Sequence, residues 1–244
     1  MLGLIRYEES RAKPSLMPRQ ILGGTFLTLE MGRYRRGGFA DRNAACWARR
    51  MREQGIRSAV FSADFPHTSL FIRQGILPVD PIGLQRTLCA SCVCRRLEEL
   101  GINAGRAVVA VAARHMSREV EDTVHTFAMK YRYILLSVES GGEAFAREMM
   151  RKYGAALLLN PTDDQLNRSD ALILFDPMPG LAMGNPVICA VYHGAVTKRG
   201  SMRLWLTDPY AEKVGTQYSQ EQFAAALHSM GVLMPEMVKC EITC

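Results

Sequence analysis

Residues 107–112 read AVVAVA, and this run begins the stretch that decides the fold. An entirely apolar run of strand length is typical of a strand that is buried on both faces of a sheet. Three more strands are predicted after it, at 133–138, 156–159 and 171–175. The helices predicted between them cover 117–131, 142–153 and 162–167. This β-α-β-α-β-α-β order predicts a parallel sheet with right-handed crossovers.

The stretch from 107 to 176 resembles the first half of a Rossmann-type dinucleotide-binding domain. It has the same layout of a strand, a loop, a helix and then a strand that ends in an acid, Glu139. The resemblance implies that ligands bind at the carboxyl ends of the strands and that Glu139 contacts a ribose.

The glycine fingerprint of that family is absent, because residues 113–118 read ARHMSR where G-x-G-x-x-G is expected. Glycines there let the backbone approach a pyrophosphate. Three acids stand in the first turn of the helix that follows: Glu119, Glu121 and Asp122. They would repel an incoming phosphate. The sequence therefore does not predict NAD(P) in its usual pose, and it leaves the cofactor open.

The flanking segments complete the predicted fold. Before residue 104 we predict an irregular leader at 1–24, strands at 26–31, 58–63 and 76–79, and helices at 41–54 and 82–100. A short helix is predicted to follow the turn at 64–67 and to end at Gly75. After residue 175 we predict an antiparallel hairpin of 187–196 with 201–207, a helix at 219–230 and a final strand. The predicted fold class is α/β, with a mainly parallel, Rossmann-like sheet, helices on both faces and a mixed or antiparallel C-terminal edge.

The distribution of charge suggests two parts. The chain has a net charge of +6, but residues 1–103 carry +7 and residues 104–244 carry −1. We therefore predict a basic α/β half over 1–103 and a Rossmann-like half, with the C-terminal hairpin, helix and strand, over 104–244. One continuous domain is the alternative.

The first half is rich in arginine, which suits forked contacts with phosphate or carboxylate. Its most basic run is GRYRRGG at 32–38, where Arg33, Arg35 and Arg36 are the predicted anion or partner surface. An exposed, solvated loop is the alternative interpretation, and genomic base composition can also produce an arginine bias.

Polar residues at the predicted strand ends are the candidate ligand-binding residues. They are Arg114, His115, Glu139, Ser140, Gly141 and Gly142. Asn160 and Asp176 follow the next two strands. Each of these residues could instead serve as an ordinary turn or cap.

Asp64 and His67 lie on one turn after a predicted strand and form the candidate acid–base pair for catalysis. The alternative is an aspartate cap beside a surface histidine. The sequence does not decide whether the protein is an enzyme.

Three of the seven cysteines, Cys89, Cys92 and Cys94, form C-x₂-C-x-C within a predicted helix. Because Cys94 is turned away from the other two, we predict small buried side chains and no metal site. The odd number of cysteines and the lack of a signal-peptide core predict reduced thiols in the cytoplasm. No apolar run is long enough for a membrane span.

The predicted function is the binding of a small anionic or nucleotide-like ligand at the strand ends. The alternative is a non-catalytic interaction or regulatory protein with a degenerate Rossmann frame and a basic surface for a protein partner. Nucleic-acid binding ranks third, because no interleaved aromatic residues or domain signature support it.

Overall fold

The computed structural model describes residues 1–8, 13–32, 38–194 and 200–243. The strands are β1 (Leu2–Glu8), β2 (Ser15–Ile21), β3 (Gly24–Gly32), β4 (Ser58–Phe61), β5 (Leu77–Pro78), β6 (Val108–His115), β7 (Tyr133–Ser140), β8 (Leu157–Leu159), β9 (Ala171–Leu174), β10 (Val187–Ala190), β11 (Met202–Leu206) and β12 (Val238–Ile242). The helices are α1 (Gly38–Glu53), α2 (Thr68–Arg73), α3 (Ile82–Glu99), α4 (Arg118–Ala128), α5 (Gly142–Tyr153), α6 (Asp163–Asn167), α7 (Asp208–Val214) and α8 (Gln220–Ser229). A 3₁₀ turn covers Pro235–Met237.

The chain folds into two compact units, which differ from the predicted halves. The first unit comprises Met1–Pro81 and Leu204–Lys239, and the second comprises Ile82–Arg203 with residues 240–244. The segment after residue 203 returns to the first unit, and α3 belongs to the second. The sequence therefore gives the first unit a net charge of +4 and the second +2. This contrast is much weaker than the one between the predicted halves.

The second unit contains the predicted parallel sheet, in the order β10-β9-β6-β7-β8, and its four neighbouring strand pairs are all parallel. Counted from β6, this is the 3-2-1-4-5 strand order of a Rossmann-like fold. Its core includes alanines of β6 and leucines of β9, which pack together with Leu166 and Ile188. The α/β fold class with a mainly parallel sheet is confirmed.

The first unit has a mostly parallel sheet of its own, in the order β2-β3-β1-β4-β5. Strand β1 lies parallel to both β3 and β4, and β2 joins β3 in antiparallel register. Ile5 and Leu29 lie on the face that packs with Met51 of α1 and Phe71 of α2. The other face carries Phe26, which contacts Phe223 of α8 at a ring-centroid distance of 5.1 Å.

The prediction of an irregular leader at 1–24 was wrong, because β1 and β2 lie there. Pro14 and Pro18 indicated a loop, but Pro18 lies on the edge strand β2, where its missing N–H group can be tolerated. Gly23 and Gly24 mark the hairpin turn between β2 and β3 rather than the end of a leader.

The predicted hairpin of 187–196 with 201–207 was also wrong. All four residues of β10 are buried, as in a strand covered on both faces, and β10 pairs in parallel with β9. Strand β11 pairs instead with β12. Thr243 N donates to Ser201 O at 2.9 Å and Thr207 N donates to Met237 O at 2.9 Å, so these two strands run antiparallel. The predicted final strand is thus present as β12.

The predicted burial of Cys89, Cys92 and Cys94 is confirmed, since all three lie in the interior along α3. Burial raises the pKa of the Cys89 thiol to about 12, and it also raises the pKa of Cys94. These thiols therefore remain protonated at neutral pH.

The two-residue loop between β2 and β3 provides a test of backbone strain. Leu22 and Gly23 have φ values of 51° and 83°, the pattern of a type I′ turn, which favours Asn-Gly. We expect Leu22→Asn to be about 1 kcal/mol more stable than Leu22→Ala, because asparagine tolerates the left-handed region better. The measurement is urea unfolding followed by fluorescence of Trp47 and Trp205, which both lie in the first unit. Equal midpoints for the two variants would show that the turn is not strained.

Candidate functional site

The topology of the second unit points to the carboxyl ends of the strands in its sheet as the place for a ligand. After β6 the chain adds β7 and β8 on one side, and it then returns to add β9 and β10 on the other. In open parallel sheets of this kind, ligands bind outside the carboxyl ends of the strands, where the strand order reverses. In this sheet that position lies between β6 and β9.

A cleft of about 510 Å³ lies at these strand ends. The carboxyl-terminal parts of β6 and β7 and the segments that follow β8 and β9 all contribute to its wall. The lining residues are Ala113, Arg114, Ser137, Val138, Glu139, Asn160, Pro161, Asp176, Pro177, Met178 and Pro179. We call this the switch-point cleft. Three prolines and a methionine give it an apolar side, and its charged side chains are one arginine and two acids.

Asp176, which follows β9, is held in place by the backbone of the neighbouring strand β6. The N–H group of Arg114 donates a hydrogen bond of 2.8 Å to Asp176 Oδ2. Asp176 thereby connects the end of β6 to the segment that follows β9, and its carboxylate lies at the cleft wall.

Asn160 has a similar role on the other side of the cleft. Its side-chain oxygen accepts a hydrogen bond of 3.1 Å from Val138 N, and its own N–H group donates to Leu136 O at 2.8 Å. Asn160 has a φ of 45°, a conformation in which asparagine is common. These bonds use its backbone N–H group and its amide oxygen, and they leave the two Nδ2 hydrogens without a partner in the part of the chain that the structure describes.

The start of α4, where a Rossmann domain holds its pyrophosphate, is capped by groups of this chain. Ser117 Oγ accepts from Val120 N at 3.4 Å. A hydrogen bond with Ser117 and the N–H group of Glu119 itself lower the pKa of the Glu119 carboxyl, which therefore stays charged. A charged carboxylate at this helix end opposes a bound phosphate.

The start of α5 shows why two glycines follow β7. Gly141 has a φ of 86°, which few other residues adopt. A Cβ on Gly142 would lie 2.7 Å from Val138 Cγ2, so the helix packs close to the strand. Both glycines are thus explained by the turn and by helix packing, and neither lines the switch-point cleft.

The structure brings some of the predicted ligand-binding residues together. Arg114 and Glu139 line the switch-point cleft. His115 and Ser140 are register partners on β6 and β7, with His115 Nδ1 3.2 Å from Ser140 Oγ, and both are exposed. The apolar wall around Met178 was missed from the sequence, where the two prolines that flank it were the available signal.

The predicted acid–base pair lies in the first unit. His67 Nδ1 is 3.1 Å from Asp41 Oδ1, and Asp64 is exposed in the preceding turn. The aspartate in contact with the histidine is therefore Asp41 of α1. A catalytic role of Asp64 and His67 stays a prediction. The predicted anion surface of Arg33, Arg35 and Arg36 lies outside the described residues.

The described residues contain neither a cluster of metal ligands nor a helix suited to a membrane. No three His, Cys, Asp or Glu side chains in the described ranges stand close enough to hold a metal ion. None of the helices in these ranges combines the length and the apolar character needed to cross a bilayer.

No protein-family model matches the sequence, and no curated protein matches it. Among solved structures, the chain is similar to shikimate 5-dehydrogenase from Listeria monocytogenes, with 11% identity, a TM-score of 0.36 and coverage of 96% of this chain and 94% of that one. It is also similar to aspartate transcarbamoylase from Trypanosoma cruzi, with 11% identity, a TM-score of 0.33 and coverage of 96% and 82%.

A third similar structure is L-tryptophan dehydrogenase from Nostoc punctiforme, with 9% identity and a TM-score of 0.35. The match covers 78% of this chain, which spans only 62% of the length of that enzyme. At TM-scores this low, neither the activity nor the ligand of these enzymes is transferred to this chain.

Proposed function

We propose that this protein binds a small nucleotide-like ligand, held by its nucleoside part, in the switch-point cleft. The observation that carries the proposal is Glu139, at the end of the second strand of a Rossmann-like sheet and in the wall of a cleft. A carboxylate at this position can accept hydrogen bonds from both hydroxyls of a ribose.

The other side chains of the cleft support the same ligand class. Asn160 offers two amide hydrogens to an acceptor, and the wall of Pro177, Met178 and Pro179 suits the flat face of a base. A few polar groups against an apolar wall are typical of small-molecule sites.

The charges favour the nucleoside part of the ligand over a pyrophosphate. Glu139 and Asp176 outnumber Arg114 in the cleft, and Glu119 keeps its charge at the start of α4. A phosphate would therefore have to be held at Arg114, which is exposed.

The test is calorimetric titration with the four common ribonucleosides and their 5′-monophosphates. We expect at least one of them to bind with a Kd between about 10 μM and 1 mM. Its 2′-deoxy form should bind about tenfold more weakly, and Glu139→Gln should cause a similar loss because one charged hydrogen bond is removed. Binding should also raise the melting temperature.

The control variant is Glu143→Gln, which removes the same charge from the first turn of α5 outside the cleft lining. It should leave the affinity unchanged. The proposal fails if no ribonucleoside or monophosphate binds, or if the two variants weaken binding equally.

The second candidate is a non-catalytic interaction or regulatory protein built on a degenerate Rossmann frame. The specific observation in its favour is that Ser117 and Glu119 occupy the phosphate position with groups of the chain itself. A failure of all eight compounds to bind would favour this candidate.

A further inference from the structure

Apart from the switch-point cleft of the second unit, a cavity of about 500 Å³ lies in the first unit. It lies on the face of the sheet that carries Leu4 and Thr28, which are register partners on β1 and β3. Strand β2 contributes Arg19 to its wall, and α7 with the segment after it contributes the opposite side, including Lys213. We call it the β1–β3 cavity.

The charged lining of this cavity is mainly basic. Arg6, Arg19 and Lys213 stand against one acid of the lining, Glu212. Glu30 approaches both arginines, at 3.7 Å from Arg6 Nη1 and 2.5 Å from Arg19 Nη2. Three basic side chains therefore stand with two acids around this cavity, which favours an anionic ligand.

Arg19 keeps capacity for a second anion. A guanidinium group has five N–H donors, and the contact with Glu30 Oε1 uses only part of them. Its side chain is 39% exposed, so a ligand in the cavity can reach it.

Thr28 gives an independent sign of a ligand. The residue is only 1% exposed and lines the cavity, and its Oγ1 has no hydrogen-bond partner among the residues that the structure describes. A buried hydroxyl without a partner destabilises a fold, and valine would fill the same space without that cost. A hydroxyl or carboxylate oxygen of a ligand would satisfy the Thr28 side chain.

The wall opposite the sheet is held in place by backbone pairing. Ala63 N donates to Gln217 O at 2.8 Å, and Ser62 forms an antiparallel bridge with Tyr218. Gln217 and Tyr218 both line the cavity. The segment after α7 is therefore fixed to the end of β4.

We propose that the β1–β3 cavity binds a small hydroxylated monocarboxylate. The carboxylate lies against Arg19 and Lys213, and a ligand oxygen hydrogen-bonds to Thr28. Glu30 and Glu212 stand beside these cations and repel a dianion such as phosphate more strongly than a monoanion. None of these residues lines the switch-point cleft, so this site goes beyond the proposed function and can fail separately from it.

The test is titration of the full-length protein with gluconate, glycerate and lactate, followed by calorimetry and by tryptophan fluorescence. We expect at least one of the three to bind with a Kd of about 1 mM. Sorbitol, which replaces the carboxylate of gluconate by an alcohol, should not bind. Inorganic phosphate should bind more weakly than the carboxylate does.

Two variants connect the binding to the cavity. Arg19→Gln should weaken the binding of the carboxylate ligand about tenfold, because it removes one charge-assisted contact. Thr28→Val should weaken it as well, and it should raise the melting temperature of the ligand-free protein by about 3 °C. Arg57→Gln, the control, removes an exposed charge of the first unit outside the cavity lining and should change neither quantity.

Several results would overturn this proposal. One is that none of the three acids shows saturable binding up to about 10 mM. Others are that gluconate and sorbitol bind with equal affinity, or that phosphate binds more tightly than the carboxylates. The last is that Arg19→Gln and Arg57→Gln change the affinity for the carboxylate equally. Ribonucleoside binding at the switch-point cleft should be the same in all these variants, so the two sites are tested separately.

Discussion

We expect Asn185→Asp to lower the free energy of unfolding of the second unit by about 4 kcal/mol at pH 7. Asn185 is completely buried, and its Nδ2 donates to Leu166 O at 2.7 Å, to Ser169 O at 2.9 Å and to Ser169 Oγ at 2.9 Å. A carboxylate has no hydrogen to donate, so the carbonyls of Leu166 and Ser169 both lose the Asn185 donor and face a negative charge, although Leu166 O still accepts from Ser169 Oγ at 2.8 Å.

The loss of stability caused by Asn185→Asp should become larger as the pH rises. Burial disfavours the charged carboxyl, so its pKa in the folded variant is raised above the value in the unfolded chain. The folded state then binds more protons than the unfolded state, and stability falls as the pH rises from about 4 towards 7. The wild-type amide does not titrate and should show no such additional slope.

Both tryptophans lie in the first unit, so this loss must be measured by other means. Urea unfolding followed by circular dichroism gives the free energy. Hydrogen exchange of the amides in α6 and β9 reports whether the opening is local to the segment that Asn185 holds.

Asn167→Asp is the matched control for this prediction. Asn167 Oδ1 accepts a hydrogen bond of 3.1 Å from Met183 N, and a carboxylate oxygen can accept the same bond. We expect a loss below about 1 kcal/mol, from the acid at the C-terminal end of α6. A loss as large as that of Asn185→Asp would mean that charge in this segment, rather than a missing donor, causes the effect.

The sheet of the second unit could be predicted because its signals are local. The runs 107–112 and 171–175 are both apolar throughout, as burial on both faces requires. Glycine follows α5 directly, and Thr162 with Gln165 forms the capping box at the start of α6. Each boundary in this region is thus set by residues that are neighbours in the sequence.

The first unit was harder to predict, because its sheet depends on distant pairing. Strand β1 is the middle strand, but its neighbours β3 and β4 begin at Gly24 and Ser58. Arg6 of β1 lies beside Glu30 of β3, a pairing between residues that are far apart in the sequence. The return of 204–239 to this unit has no local signal at all, and the step in charge at residue 103 therefore marked the wrong boundary.

The candidate site was predictable only where it coincides with strand ends. Arg114 and Glu139 line the switch-point cleft because they end two strands that the apolar pattern had already located. The course of the loop after β9 depends on contacts far apart in sequence, such as the hydrogen bond between Arg114 N and Asp176. The prolines on either side of Met178 indicate a loop, but the place of this loop in the cleft wall could not be inferred for the same reason.

A second large loss is expected for Arg86→Met, which should lower the free energy of unfolding by about 3 kcal/mol. Arg86 lies on α3, and its Nε donates to Val191 O at 3.0 Å while Nη2 donates to Phe175 O at 3.2 Å. Phe175 and Val191 directly follow β9 and β10 and are almost completely buried. Methionine retains the apolar stem but leaves both carbonyls without this donor.

Two further variants distinguish this explanation from a general effect of charge. Arg86→Lys should lower the free energy of unfolding by about half as much as Arg86→Met, since a single ammonium group reaches the two carbonyls less well than the planar guanidinium. Arg118→Met removes the same charge from α4, where the side chain is 90% exposed and pairs with Asp122 at 3.8 Å. Its cost should stay below about 0.5 kcal/mol, and equal losses for Arg86→Met and Arg118→Met would contradict the role of the two hydrogen bonds.

Arg86 also connects stability to the proposed ligand. The carbonyl of Phe175 immediately precedes Asp176 and Pro177 in the wall of the switch-point cleft. If the nucleoside part of the ligand lies there, Arg86→Met should weaken ribonucleoside binding at temperatures where the variant is still folded. Unchanged affinity in the folded variant would mean that the hydrogen bonds from α3 hold the strand ends without shaping the cleft, because Asp176 is then positioned by Arg114 N alone.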